Sequence, residues 1–153
     1  MRNVFGVLAF GLILLFSSTA AQAASNPAIA GQVAGIELCP QFICGVAIFA
    51  GGFQGQVGFF PNVKGIVVTA LNHGELPTEE GASTPIFGGV WELKTWFRRF
   101  GGVATGGQIT YIGNNRFHVT VNLTLTTGGS GSLTADAILD HNTLIPTFGG
   151  TLQ

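Results

Sequence analysis

Residues 117–126 read Phe-His-Val-Thr-Val-Asn-Leu-Thr-Leu-Thr. Phe117, Val119, Val121, Leu123 and Leu125 fall on one face of an extended chain. His118, Thr120, Asn122, Thr124 and Thr126 fall on the other. Strict alternation over this length has a period of two, which only a strand can use. One apolar face and one polar face mean an antiparallel sheet, dry on one side and wet on the other. The glycine-rich run 127–131 then turns the chain, and 132–140 follows with Leu133, Ala135, Ala137 and Leu139 on its inner face. Keeping both apolar faces on one side restricts the register. A hairpin centred near Gly129 pairs Val121 with Ala137 and Val119 with Leu139, and sets His118 opposite Asp140.

The rest of the chain fits the same class. Short β-rich runs at 31–38, 45–50, 53–60, 65–71, 90–96, 100–105 and 108–112 are separated by Gly, Asn and Pro, and the tail 148–152 reads as a last strand. Gly113-Asn-Asn is a tight-turn sequence, because Gly and Asn tolerate positive φ. Residues 71–89, with Pro77, Pro85 and Glu79-Glu80, read as an exposed loop. No segment after the expected signal peptide shows a convincing helical period. The expected fold is all-β: a single small antiparallel β-barrel or two-sheet β-sandwich of about eight to ten short strands.

Arg2 followed by the apolar run 4–16 and by Ala21-Gln-Ala23 has the layout of a signal peptide cleaved after Ala23. The run is shorter than the roughly 20 residues of a membrane-spanning helix. The chain therefore divides into a signal peptide, 1–23, and one domain, 24–153, expected in the periplasm or outside the cell, with membrane contact only through the signal peptide during export. The domain carries five basic residues against seven acidic ones, a formal charge of −2. No basic face is indicated, which argues against nucleic acid as a partner. Charged residues make up 8% of the chain, against about 25% in ordinary globular proteins. Such low charge also keeps an outer-membrane or self-assembling β-protein under consideration.

Both cysteines lie in Cys39-Pro-Gln-Phe-Ile-Cys44. Catalytic thiol pairs use two intervening residues, not four. Zinc needs about four ligands, and there is no second cysteine pair. In an oxidising compartment a disulfide closing a hairpin loop is the simple reading. So short a loop contributes roughly 2 kcal/mol through chain entropy, enough to pin a turn. No metal and no cofactor are expected.

Candidate chemistry is sparse. His118 with Asp140 could act as an oriented general base, or be a polar pair on the wet face of a sheet. The stretch around His73 echoes that around His141: a strand end, Asn or Asp before His, then Leu and Pro-Thr, which would place both histidines at one rim. There is no Gly-x-Ser-x-Gly elbow and no phosphate-cradling loop before a helix. Trp91, Trp96, Phe97, Phe100 and Tyr111 form an aromatic concentration that could line a pocket. Three function classes follow. The first is a non-enzymatic module that binds an apolar small molecule or an envelope partner through those aromatics. The second is a barrel-type isomerase or hydrolase using His118, His73 or His141 with a nearby carboxylate. The third is the membrane or self-assembling structural protein.

Overall fold

The computed structural model describes residues 28–153, so the expected signal peptide and its cleavage site lie outside the described residues. Eight strands run in chain order: β1 (Ile29–Cys39), β2 (Ala47–Val57), β3 (Phe60–His73), β4 (Ser83–Thr95), β5 (Arg99–Tyr111), β6 (Arg116–Thr127), β7 (Gly131–Asp140) and β8 (Thr147–Leu152). One helical turn, α1 (Gln41–Cys44), interrupts the first connection. Each strand pairs antiparallel with its chain neighbours, and β8 closes onto β1 with Gly31 opposite Leu152 and Ile36 opposite Thr147. The result is a closed up-and-down barrel. Closure removes every free sheet edge, and an even strand number lets a meander close antiparallel. The choice between barrel and sandwich is thereby settled.

The alternation read in 117–126 survives intact. Phe117, Val119, Val121, Leu123 and Leu125 are all buried inside the barrel. The register of the next hairpin differs from the expectation by two residues. Val119 pairs with Ala137 and Val121 with Ala135, so His118 stands opposite Ile138 and Asp140 stands opposite Arg116. A period of two cannot see this error, because a two-residue slip keeps every side chain on its face.

The strands are longer than expected, ten to fourteen residues for all but β8. Runs 45–50 and 53–60 belong largely to one strand, β2, and 100–105 and 108–112 to β5. The glycines between them bend the strand rather than end it. Gly31 lies opposite Gly55 and Gly35 opposite Gly51, and a side chain at Gly35 would run into the backbone of Ala50 and Gly51. Such close approach is what a strongly bent barrel wall demands of glycine. Most of the predicted loop 71–89 is likewise sheet: β4 starts at Ser83, and only residues 74–82 connect it to β3.

Strand direction sorts the connections onto two rims. The first rim carries the Cys39–Cys44 turn and the connections β3–β4, β5–β6 and β7–β8. The second carries the start of β1, the turns β2–β3, β4–β5 and β6–β7, and the end of β8. Toward the second rim the barrel is filled. Leu93 and Phe100 are fully buried there, and Phe97 folds in against Phe60 and Phe100 with ring centroids 5.1 and 6.4 Å apart.

Candidate functional site: an apolar cavity and the rim above it

The half of the barrel toward the first rim is not filled. A cavity of about 90 Å³ lies on the axis. Valines and leucines of β1, β3, β6, β7 and β8 form much of its wall, among them Val33, Val67, Val121, Leu139 and Leu152. Phe49, Trp91 and Phe148 supply the aromatic surface. Ala135 and Ala137 point inward from β7, yet both remain partly exposed, as do Phe49, Val67 and Phe148. Inward-facing residues with accessible surface are what an open void produces.

The wall offers no free polar group. Thr69 Oγ1 donates to Val90 O at 3.0 Å, and Trp91 Nε1 donates to Thr124 O at 3.0 Å. No titratable side chain lines the space. A cavity of this character stays dry and favours apolar guests: an engineered aliphatic and aromatic void of about 150 Å³ takes up benzene or xenon.

Of the five aromatics singled out by sequence, Trp91 alone lines the cavity. Tyr111 sits at the first rim against Phe117, centroids 5.2 Å apart, and its hydroxyl accepts from the Asn115 backbone at 3.3 Å. Trp96, Phe97 and Phe100 belong to the opposite end. Thr95 Oγ1 donates to Arg98 O at 2.8 Å and closes the β4–β5 turn, leaving Trp96 exposed at its tip and Phe97 folded in. Adjacent positions in sequence thus serve different ends of the barrel. Phe49 and Phe148, which do line the cavity and meet edge to face at 5.9 Å, escaped the sequence reading. Both sit in glycine-rich strands, where too few side chains remain to display the alternation.

The polar candidates also separate. His118 lies on the outer wall, where Nε2 approaches both carboxylate oxygens of Asp136 at 3.1 and 2.9 Å. Its carboxylate partner is therefore Asp136, not Asp140, and both side chains are more than 40% exposed. Asp140 caps the β7–β8 connection. It accepts from the Asn142 backbone and side chain, each at 2.8 Å, with Arg116 at 3.9 Å. These contacts lower its pKa, the Asn142 backbone bond most, and together they outweigh the opposing effect of desolvation.

His73 and His141 do share the first rim, at the ends of β3 and β7. His73 is buried, with Nδ1 2.6 Å from Gly74 O. Its backbone is clamped by Gln41, whose Oε1 accepts from His73 N at 2.8 Å and whose Nε2 donates to His73 O at 2.6 Å. His141 packs its ring edge against Phe117 at 5.2 Å, and its Nε2 stands 3.2 Å from Glu37 Oε2.

The disulfide Cys39–Cys44 is formed and closes one helical turn ended by Gly45 at φ 77°. Among the described residues no group of three or more His, Cys, Asp or Glu is arranged to hold a metal ion. No protein-family model matches the chain, and no curated protein and no solved structure is significantly similar to it.

Proposed function

We propose that this protein is an exported, non-enzymatic binding barrel that takes an apolar small molecule into its interior. The observation that carries the reading is the dry-walled cavity, in which every polar lining atom is already hydrogen-bonded inside the protein. Its size suits a single-ring or short-chain hydrocarbon group rather than a large cofactor. A disulfide in a short loop supports an oxidising compartment, in keeping with the signal-like N-terminus. The excess of acidic over basic residues supports partners other than nucleic acid. Binding is favoured over catalysis because His118, His73, His141 and Asp140 all lie outside the cavity, where they cannot act on its contents.

Toluene is the probe for the test, followed by NMR of the full chain. Methyl resonances of Val67, Val121 and Leu139 move on titration, and the melting temperature rises as the ligand binds the folded state alone. Ala137→Leu fills the void and abolishes both effects. Toluene that leaves these methyls unmoved, or that acts equally on Ala137→Leu, removes the proposal.

A further inference from the structure

The two ends of the barrel differ in charge, which the net value of −2 conceals. Glu75, Glu79 and Glu80 lie on the β3–β4 connection, and Glu37 and Asp140 near the ends of β1 and β7, all at the first rim. Among the described basic residues, Arg116 alone joins them there. The other four gather toward the second rim. Arg98 sits in the β4–β5 turn, Lys94 and Arg99 flank it, and Lys64 lies near the start of β3. All four are exposed, and among the described residues none has an ion-pair partner. Glu92, on the same face of β4 as Lys94, makes no ion pair with it. Lys94 and Arg99 are direct cross-strand partners. Like charges so placed cost stability, and an anion held between them relieves the repulsion.

The same end exposes aromatic surface. Phe59, in the β2–β3 turn, is fully exposed, and Trp96 is 79% exposed. Phe60 and Trp96 both contact the Phe97 ring, with centroids 5.1 and 4.9 Å from it. The β2–β3 and β4–β5 turns therefore share one apolar tip. Ile66, exposed and cross-strand from Lys94, carries that surface onto the outer wall. Exposed apolar surface ringed by polar groups marks a site of interaction. A dissolved polyanion would meet the cations and leave Phe59 and Trp96 in water. A second copy packed rim to rim would set four cations against four. An anionic bilayer surface suits both features: aromatic rings are favoured at the headgroup level, and cations are drawn to the negative leaflet. We propose that the second rim is a docking surface for an anionic membrane, with Phe59 and Trp96 in the headgroup layer and the four cations over charged lipids. This extends membrane contact beyond the expected signal peptide. It does not rest on the axial cavity, which lies toward the other rim. At about fivefold in affinity per cation, four cations bring half-binding to about 1 mM lipid. The contact is peripheral at that strength, and in a dilute lysate the chain stays dissolved.

The test mixes the full chain with phosphatidylcholine vesicles, either pure or made equimolar with phosphatidylglycerol. The chain co-sediments with the mixed vesicles at low salt. It is released by about 1 M salt, where the screening length falls to about 3 Å. Tryptophan emission moves to shorter wavelength on binding, and Trp96→Phe removes that shift while binding persists, because Trp91 is already buried. Arg98→Gln combined with Arg99→Gln weakens binding about 25-fold, fivefold for each charge. Phe59→Ser, at a fully exposed position, cannot disturb the core and also weakens binding. It decides the matter should the arginine variant fail to fold. Failure to co-sediment overturns the proposal. So does equal binding to pure phosphatidylcholine, or binding that both variants retain, either of which assigns attachment to the apolar run 4–16. Self-association that shields Trp96 without lipid gives the rim to a second copy and overturns the proposal as well.

Discussion

At the scale of single residues, Asp140 is the one side chain among the described residues whose titration the fold clearly alters. Its pKa lies below the ordinary 3.8, chiefly because the Asn142 backbone N–H is aimed at the carboxylate. A carboxyl with a lowered folded pKa favours the folded state only when ionised. Its contribution is therefore present above the ordinary carboxylate range and lost as pH falls through the lowered value. Asp140→Asn is expected to be less stable than the unmodified chain at neutral pH. The two converge when urea denaturation is repeated at successively lower pH, once the pH has fallen below the lowered folded value. A gap of the same size at both pH values contradicts this account. The sequence marked Asp140 as a strand-end residue and marked the wrong partner for His118. Both facts have one origin. Side-chain face is written in alternation, and register is written in turn geometry. The 127–131 turn, with three glycines and a serine, accommodates more than one register.

Individual elements show what glycine conceals. The strand β6 is dense in β-branched and aliphatic residues and was legible along nearly its whole length. The strands β2 and β5 are interrupted by glycine and looked like pairs of shorter runs. Phe49 was invisible as a cavity residue for the same reason. The cysteine turn was legible because two cysteines five positions apart define it. What the sequence could not display is that its Gln41 reaches across to hold His73 at the end of β3, 32 positions away. The turn is thus a brace as well as a staple. Removing the amide by Gln41→Ala costs about 1–3 kcal/mol, two hydrogen bonds at their usual net worth. It also speeds hydrogen exchange at the His73 amide. Reducing the disulfide lowers stability by about 2 kcal/mol at most and speeds the same amide while leaving the barrel closed. Loss of the whole β-sheet signal on reduction shows instead that the turn holds the domain together.

For the whole molecule, the question is which side of the barrel meets water. Strand length does not decide it, since seven strands reach at least ten residues, enough for the roughly 9–11 of a membrane-crossing strand. Facing does. A membrane barrel turns an apolar band outward all round and keeps a polar lumen. Here the lumen is apolar, and β6 presents His118, Thr120, Asn122, Thr124 and Thr126 to the outside. Asp136 and Thr134 continue that polar wall on β7, with Thr151 next to it on β8. The opposite wall is different: Ile66 and Val68 of β3, Val90 of β4 and Val103 of β5 are exposed, and Val90 pairs directly with Val103. One apolar wall does not make a lipid-facing girdle, because β6 and its neighbours would then have to bury hydroxyl, amide and imidazole groups in hydrocarbon at several kcal/mol each. The folded chain is therefore expected in the high-speed supernatant after lysis without detergent, with a sedimentation coefficient that detergent leaves unchanged. Recovery in a membrane pellet that withstands alkaline carbonate would place the polar wall against lipid. It would overturn this assignment.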